Sequence, residues 1–374
     1  MGCIYDAIIV GGGVNGGAIA YNLAKRGKKV LILEKDRLSS KSSGAAAGML
    51  GAQAELEEDG PLFQLAKRSR GMFPSLSGEL KEISGIDIEF VNKGMFKVAL
   101  TSEQEAELKR IIDIQRSAGE EAEWFSTAEL RIYETQLSDA IRGAMYISKD
   151  GHVSAYQLAI AFAKSAAILG AEIKEFVTVH SFRIENSRVK GVVTSEGEFL
   201  SENVIVASGA WSSHLLREAG VRLDTYPVKG ECFSVKTHRP LLEKTIFSQG
   251  CYIVPKVGGR IIVGATMIPH TFDQKVSLEG ISTLMEKAKQ LIPAITEAEW
   301  EKAWAGIRPQ TGDGLPYIGE HPEYHGIFIA TGHFRNGILL SPVTGELIAD
   351  LVERKAVPEL SAFRVERSLK MIVS

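Results

Sequence analysis

Gly11, Gly13 and Gly16 stand in the spacing G-x-G-x-x-G, directly after the apolar run at 5–10, and Glu34 follows 18 residues beyond Gly16. Each position has a physical task. The first glycine permits a tight turn, the second lets a pyrophosphate approach the backbone, and the third lets helix and strand pack closely. The helix that follows offers unpaired N–H groups and the positive end of its dipole to phosphates. An acid at the distance of Glu34 accepts hydrogen bonds from a ribose 2′-OH. A bare G-x-G-x-x-G is a weak signal, whereas strand, helix, strand and acid together read as a dinucleotide site. The unit does not by itself separate NAD from FAD.

Other chemistries find little support. His321 and His325 are four apart, but Pro322 lies between them, so they read as loop histidines rather than a metal pair. There is no G-x-S-x-G, no H-E-x-x-H and no P-loop.

Residues 5–10 and 29–33 read as buried strands around a helix at 18–26, which is a βαβ start on a parallel sheet. The segment 39–51, SSKSSGAAAGMLG, has the composition of a linker. Its place after an acidic strand end, and its Met49-Leu50 pair, favour an ordered loop where backbone approaches a ligand. VIVASGAW at 204–211 and IFIATGHF at 327–334 are buried strands ending in small polar-glycine turns. With the 42–49 loop they favour FAD over a simple NAD fold, although such turns serve structure equally well.

Elsewhere, 60–80 is helical with Pro74 expected to kink or break it. Ser102-x-x-Glu105 reads as a capping box for a helix to 118, and Ser154 as the cap of a helix to 169. Strands are expected at 171–179 and 188–195, and longer antiparallel ones at 226–235, 251–255 and 260–265, with Gly258-Gly259 as a hairpin turn. A helix at 277–291 and a last one from 337 to 353, with Pro342 in its first turns, complete the chain. The expected fold is an α/β domain interrupted by a mostly antiparallel, α+β one.

The chain has 374 residues, 45% apolar and 24% charged, with net charge −3. That is globular composition with no electrostatic case for nucleic acid. Cys3, Cys232 and Cys251 form no C-x-x-C, which argues against a disulfide framework or structural zinc. No apolar stretch reaches a membrane span. MGCIYD at the start has no basic n-region, and Asp6 departs from a myristoylation pattern, so a cytoplasmic protein is expected.

IIVGGGVNGGAIAYNLAKRG, SSGAAAGMLGAQAE, PVKGEC, CYIVPK, IIVGATM, WAGIRPQTGDGLPYIG and GHFRNGILLSPVTG together resemble the glycine oxidase family of amino-acid oxidases, within the D-amino-acid oxidase and sarcosine oxidase superfamily. The similarity spans essentially the whole chain. It implies a Rossmann-like FAD-binding domain at 1–85, 150–215 and 305–374, and an antiparallel-sheet substrate domain at 86–149 and 216–304. It also implies a non-covalent FAD. Val14 and Asn15 would border the pyrophosphate turn, and Glu34 and Lys35 the adenosine ribose. Ser42, Ser43, Ala47, Gly48 and Met49 would border the phosphates and flavin edge, and Val179 would offer backbone to the adenine. His333, Phe334, Arg335, Asn336, Gly337, Ile338 and Leu339 would run along the isoalloxazine. Reduction places negative charge on the flavin N1–C2 edge, where a helix N-terminus would stabilise it.

Substrate contacts implied by the resemblance are Tyr252, Arg308 and Arg335, with Met267 lining the pocket. Arg308 falls in a segment rich in Gly and Pro that reads as a turn, where a guanidinium can hold a carboxylate with two parallel hydrogen bonds. No acid or base is assigned, because desolvation suffices to keep the amine neutral. Family members carry a histidine two positions before the tyrosine; here it is Gly250, which predicts a more mobile and less polar loop. The implied activity is oxidation of glycine to glyoxylate, ammonia and hydrogen peroxide with O2, supplying imine for the thiazole of thiamine, in a homotetramer. The rivals are a sarcosine or D-amino-acid oxidase or dehydrogenase, and a non-catalytic binding protein on the same fold.

Overall fold

The computed structural model describes residues 4–367, so Cys3 and the chain start discussed above lie outside the described residues. A six-stranded sheet runs Tyr317–Glu320, Ile327–Thr331, Val204–Val206, Ala7–Val10, Val30–Leu33, Glu172–Lys174, parallel except at the first pair. Its central strands are apolar without alternation because both faces are covered. Ala7, Ile9, Val30, Ile32 and Ile205 face a core shared with the helices Val14–Lys25, Ala155–Ile168 and Gly337–Val352. Ile8, Val10, Leu31, Leu33, Val204 and Val206 face a second core on the side of the four-stranded sheet.

The run at 5–10 is not one strand. Ile4–Tyr5 pairs with Gly197–Ser201 in the four-stranded sheet, and Ala7–Val10 joins the six-stranded one. Asp6 marks the switch, its carboxylate accepting the Lys29 N–H at 2.7 Å. Likewise the run expected at 171–179 divides: Glu172–Lys174 ends early and Val179–Glu185 begins another sheet, with Phe176 at φ +63° between them.

The mostly antiparallel layer has nine strands among the described residues, with one parallel pair, Met95–Ala99 and Thr245–Ser248. Thr225–Lys236 and Glu299–Thr311 are its longest, paired along their length. Arg308 and Pro309 therefore lie in a strand, not in the turn expected from their composition. Glu299–Thr311 pairs only with Thr225–Lys236 among the named strands, and an edge strand tolerates proline. This strand also runs past the expected domain boundary at 304/305.

Three helices correct the proline and cap expectations. Pro61–Ser84 continues through Pro74, because Phe63, Phe73, Leu76 and Leu80 stay buried on one side. The capping box is Thr101 with Gln104, one residue early: Gln104 N–H donates to Thr101 Oγ1 and Thr101 N–H to Gln104 Oε1. Ser154 precedes its helix without a side-chain cap bond. In Gly337–Val352, Pro342 frees the Ile338 carbonyl, which accepts the Ser341 hydroxyl at 2.9 Å. Among the described residues no helix is long and apolar enough to cross a membrane.

Candidate functional site

A cavity of about 480 Å³ runs from the strand ends of the parallel sheet to the face of the antiparallel one. At its first end lies the glycine turn. Gly11 has φ +113°, and a Cβ there would sit 2.6 Å from the Ala207 carbonyl oxygen. A Cβ on Gly16 would sit 1.9 Å from the Gly11 carbonyl oxygen. Gly16 is therefore beneath the turn, while Gly11, Gly13, Val14 and Asn15 face the cavity. The Val14 N–H donates to Ser43 Oγ at 2.9 Å, tying the helix start to the 42–49 loop. The first-turn N–H groups of Asn15 and Gly16 have no intrahelical acceptor by helix geometry. Asn15 Oδ1 is buried with no hydrogen-bond partner.

Glu34, nearly buried, ends the strand Val30–Leu33. Its carboxylate accepts the Gly12 N–H at 2.7 Å and the Asp36 N–H at 2.9 Å. Beyond it, Lys35 Nζ lies 4.2 Å from the centroid of the Trp211 ring, and burial pulls its pKa down. Val179 and Trp211, the latter from the VIVASGAW turn, line this end, with Arg37 and His214, which the sequence did not single out.

The 39–51 segment is ordered. Ser42–Ala45 forms one helical turn and Met49–Leu50 a short strand. Ser42 Oγ donates to the Ile307 carbonyl, and Trp304 Nε1–H donates to the Ala45 carbonyl at 2.9 Å. The loop is thus clamped to the strand that carries Arg308. Ser43, Ala47, Gly48 and Met49 all reach the cavity wall.

At the other end, Tyr252, Arg308, Arg335, His333, Phe334, Gly337 and Ile338 converge. Asn336 and Leu339 are buried but stand behind the wall. Met267 is not brought to it either: the side chain is 57% exposed and lies off the lining. Gly250 is also off the lining, at φ +72°, where its carbonyl accepts Lys287 Nζ at 3.4 Å.

The two arginines differ. Arg335 is closed by a bidentate pair to Glu55, Nε to Oε2 and Nη2 to Oε1, both at 2.6 Å. Burial opposes its charge, but the Glu55 carboxylate outweighs burial and raises the arginine further. Arg308 has no carboxylate partner among the described residues; Nη1 donates to the Thr266 carbonyl at 3.3 Å. It lies over Gly230, where a Cβ would sit 2.2 Å from Nη2. Tyr252 is buried, its hydroxyl 3.4 Å from Cys232 Sγ, and burial holds its pKa far above the usual phenol range. His333 bonds Thr344 Oγ1 through Nε2 at 3.1 Å, its Nδ1 is unpartnered, and burial pulls its pKa down to about 4.

Sequence reasoning missed Glu55, Cys232 and Gly230. Glu55 was within reach, since it ends the quoted GAQAE run beside the glycine-rich loop.

The fit to a long, two-ended cofactor rests on this structure. One end has a backbone turn that side chains would fill, an unpartnered buried amide oxygen and an acid; the other has an unpartnered buried imidazole nitrogen and a helix N-terminus. The comparisons agree. A sequence model described as FAD dependent oxidoreductase (DAO) matches residues 6–351. The glycine oxidase of Geobacillus kaustophilus is 50% identical over 370 residues, 98% of this chain and 97% of that protein. Its crystal structure covers 97% of this chain and 99% of its own, with TM-score 0.95 and 49% identity. The bifunctional protein ThiO/ThiG of Nostoc sp. is 34% identical over 98% of this chain, which spans 55% of that longer protein. With the dinucleotide turn and full-length similarity in agreement, the chain belongs to the FAD-dependent oxidoreductase family, on its glycine oxidase branch.

Proposed function

We propose that the enzyme oxidatively deaminates glycine, giving glyoxylate and ammonia after hydrolysis of the imine, with O2 reduced to hydrogen peroxide. The observation that carries this is Arg308, a guanidinium on the cavity wall without a carboxylate partner among the described residues, on the same wall as a second arginine that Glu55 already occupies. FAD, when bound, supplies the acceptor for the hydride that leaves the substrate Cα. Arg308 holds the carboxylate and gives it direction. Tyr252 stays protonated at any working pH, so its hydroxyl can donate to the same group. Neutral His333 leaves the flavin end without added charge, and the N-terminus of Gly337–Val352 favours negative charge there. Burial of the pocket keeps the amine neutral without a dedicated base.

The same proposal divides the chain into a cofactor domain, 1–85, 150–215 and 305–374, and a substrate domain, 86–149 and 216–304, except that the strand Glu299–Thr311 stays with the substrate sheet across the 304/305 boundary. The ThiO/ThiG relative supports delivery of the imine to thiamine thiazole synthesis. A cytoplasmic homotetramer belongs to this reading as an expectation.

Under anaerobic conditions the yellow protein should bleach on addition of glycine. A spectrum unchanged by glycine, with bleaching by sarcosine or a D-amino acid, would transfer the assignment to the rival substrate. The flavin should be non-covalent. Cys232 does reach the cavity wall, but burial raises its thiol pKa and so disfavours the thiolate a covalent link requires. Acid precipitation should leave all yellow colour in the supernatant, and colour in the pellet would contradict this.

Glu34→Ala should weaken FAD retention roughly 10-fold or more, since charge-assisted hydrogen bonds contribute about 1.5–3 kcal/mol each. It should also lower stability, because the Gly12 and Asp36 N–H groups lose their acceptor. An FAD dissociation constant equal to the parent's by equilibrium dialysis would place the ribose elsewhere.

A further inference from the structure

The PVKGEC motif contains a carboxylate that the reaction itself leaves unused. Glu231 is fully buried. Its Oε1 accepts the Ser277 N–H at 2.9 Å and pairs with Lys229 Nζ at 3.1 Å; its Oε2 accepts the Ser277 hydroxyl at 3.1 Å and the Thr266 hydroxyl at 3.4 Å. Its own N–H donates to Thr266 Oγ1 at 2.9 Å. Lys229 in turn donates to the Lys275 carbonyl at 2.8 Å. There is no slack around the carboxylate, since a Cβ on Gly280 would sit 1.7 Å from Oε2.

These contacts pin both ends of the strap 266–277, whose residues Ile268–Pro269 pair with Val228 and Lys229 at the sheet before the chain enters the helix Leu278–Leu291. The strap does two things at the cavity. The Thr266 carbonyl accepts Arg308 Nη1. Phe272 packs on Trp211 and His214, with ring centroids 5.5 and 5.6 Å apart. A buried ion pair is a poor source of stability, because apolar replacements of similar volume often do as well.

We propose that Glu231 is a positioning residue for substrate binding: by fixing Thr266 it sets the orientation in which Arg308 receives a carboxylate. This rests on the assignment of Arg308 as the anchor.

The test uses FAD-loaded protein and acetate as the probe, with binding read from the flavin absorbance and no turnover needed. Glu231→Gln should raise the acetate dissociation constant about 10-fold and lower kcat/KM for glycine in parallel. In an Arg308→Lys background the same change should add less than about threefold, because coupled residues are not additive. Thr266→Val removes the hydroxyl but keeps the carbonyl, and should weaken acetate by about threefold; it stands in if Glu231→Gln does not fold. Lower thermal stability with an unchanged acetate constant, or fully additive losses, would overturn the inference, as would a parent blind to acetate. A parent that binds acetate, with the expected shift in Glu231→Gln, but does not oxidise glycine would leave the inference standing and refute the substrate assignment alone.

Discussion

Arg308→Leu is expected to lower kcat/KM for glycine by roughly 10²-fold or more, about 3 kcal/mol, with FAD content unchanged. Glycine offers a carboxylate, an amine and two hydrogens, so an apolar pocket has no shape to recognise. A carboxylate will not leave water for a buried site unless it is paired. The guanidinium fork supplies charge and direction together, and direction decides whether the Cα–H can be delivered productively. Arg308→Lys keeps the charge without the fork and should lose less. Gly230→Ala should reproduce part of the loss without touching the arginine, because the added Cβ would occupy the guanidinium's place. An amine lacking a carboxylate should react with similar efficiency in parent and Leu variant. Near-parent glycine kinetics in Arg308→Leu would move the anchor to Arg335, whose pairing with Glu55 would then have to open.

Gly16→Ala is expected to abolish or greatly weaken FAD binding, by about 10²-fold or more in dissociation constant. A methyl group 1.9 Å from the Gly11 carbonyl oxygen cannot be accommodated in place. Either the turn or the helix Val14–Lys25 must move, and the cofactor's phosphates depend on both. The protein itself should lose about 1–3 kcal/mol from the overpacking. Gly71→Ala is the control. It sits inside Pro61–Ser84 with nothing within 4 Å of its Cβ position, and should keep full FAD content and gain slightly in stability. Equal FAD affinity in Gly16→Ala and parent, by fluorescence titration, would refute the role of the turn.

The parts of this site that could be read from the chain are those whose determinants are neighbours along it. The glycine turn, its two flanking strands and Glu34 fall within about 30 residues of one another, and each is specified by local sterics and hydrophobic pattern. The order of the Ser/Ala/Gly loop was likewise legible, because Met49 and Leu50 in such a stretch need a place to be buried. Local reading failed where a partner outvoted composition. Arg308 sits among Gly and Pro yet lies in a strand, since Thr225–Lys236 supplies a continuous pairing partner. Pro74 sits in an unbroken helix because its neighbours are buried.

By itself, then, the amino-acid order pointed to a dinucleotide and determined the glycine turn proposed to hold it. Full-length resemblance added FAD and the candidate arginines. Which of the two arginines is without a carboxylate partner among the described residues was decided only by tertiary structure. Arg335 is matched by Glu55, 280 positions away in the chain, while Arg308 has no carboxylate partner among the described residues and donates to the carbonyl of Thr266, whose hydroxyl bonds Glu231. The physical reason is that the availability of a charge is a property of what surrounds it in space, and no periodicity or spacing along the chain encodes a neighbour so distant.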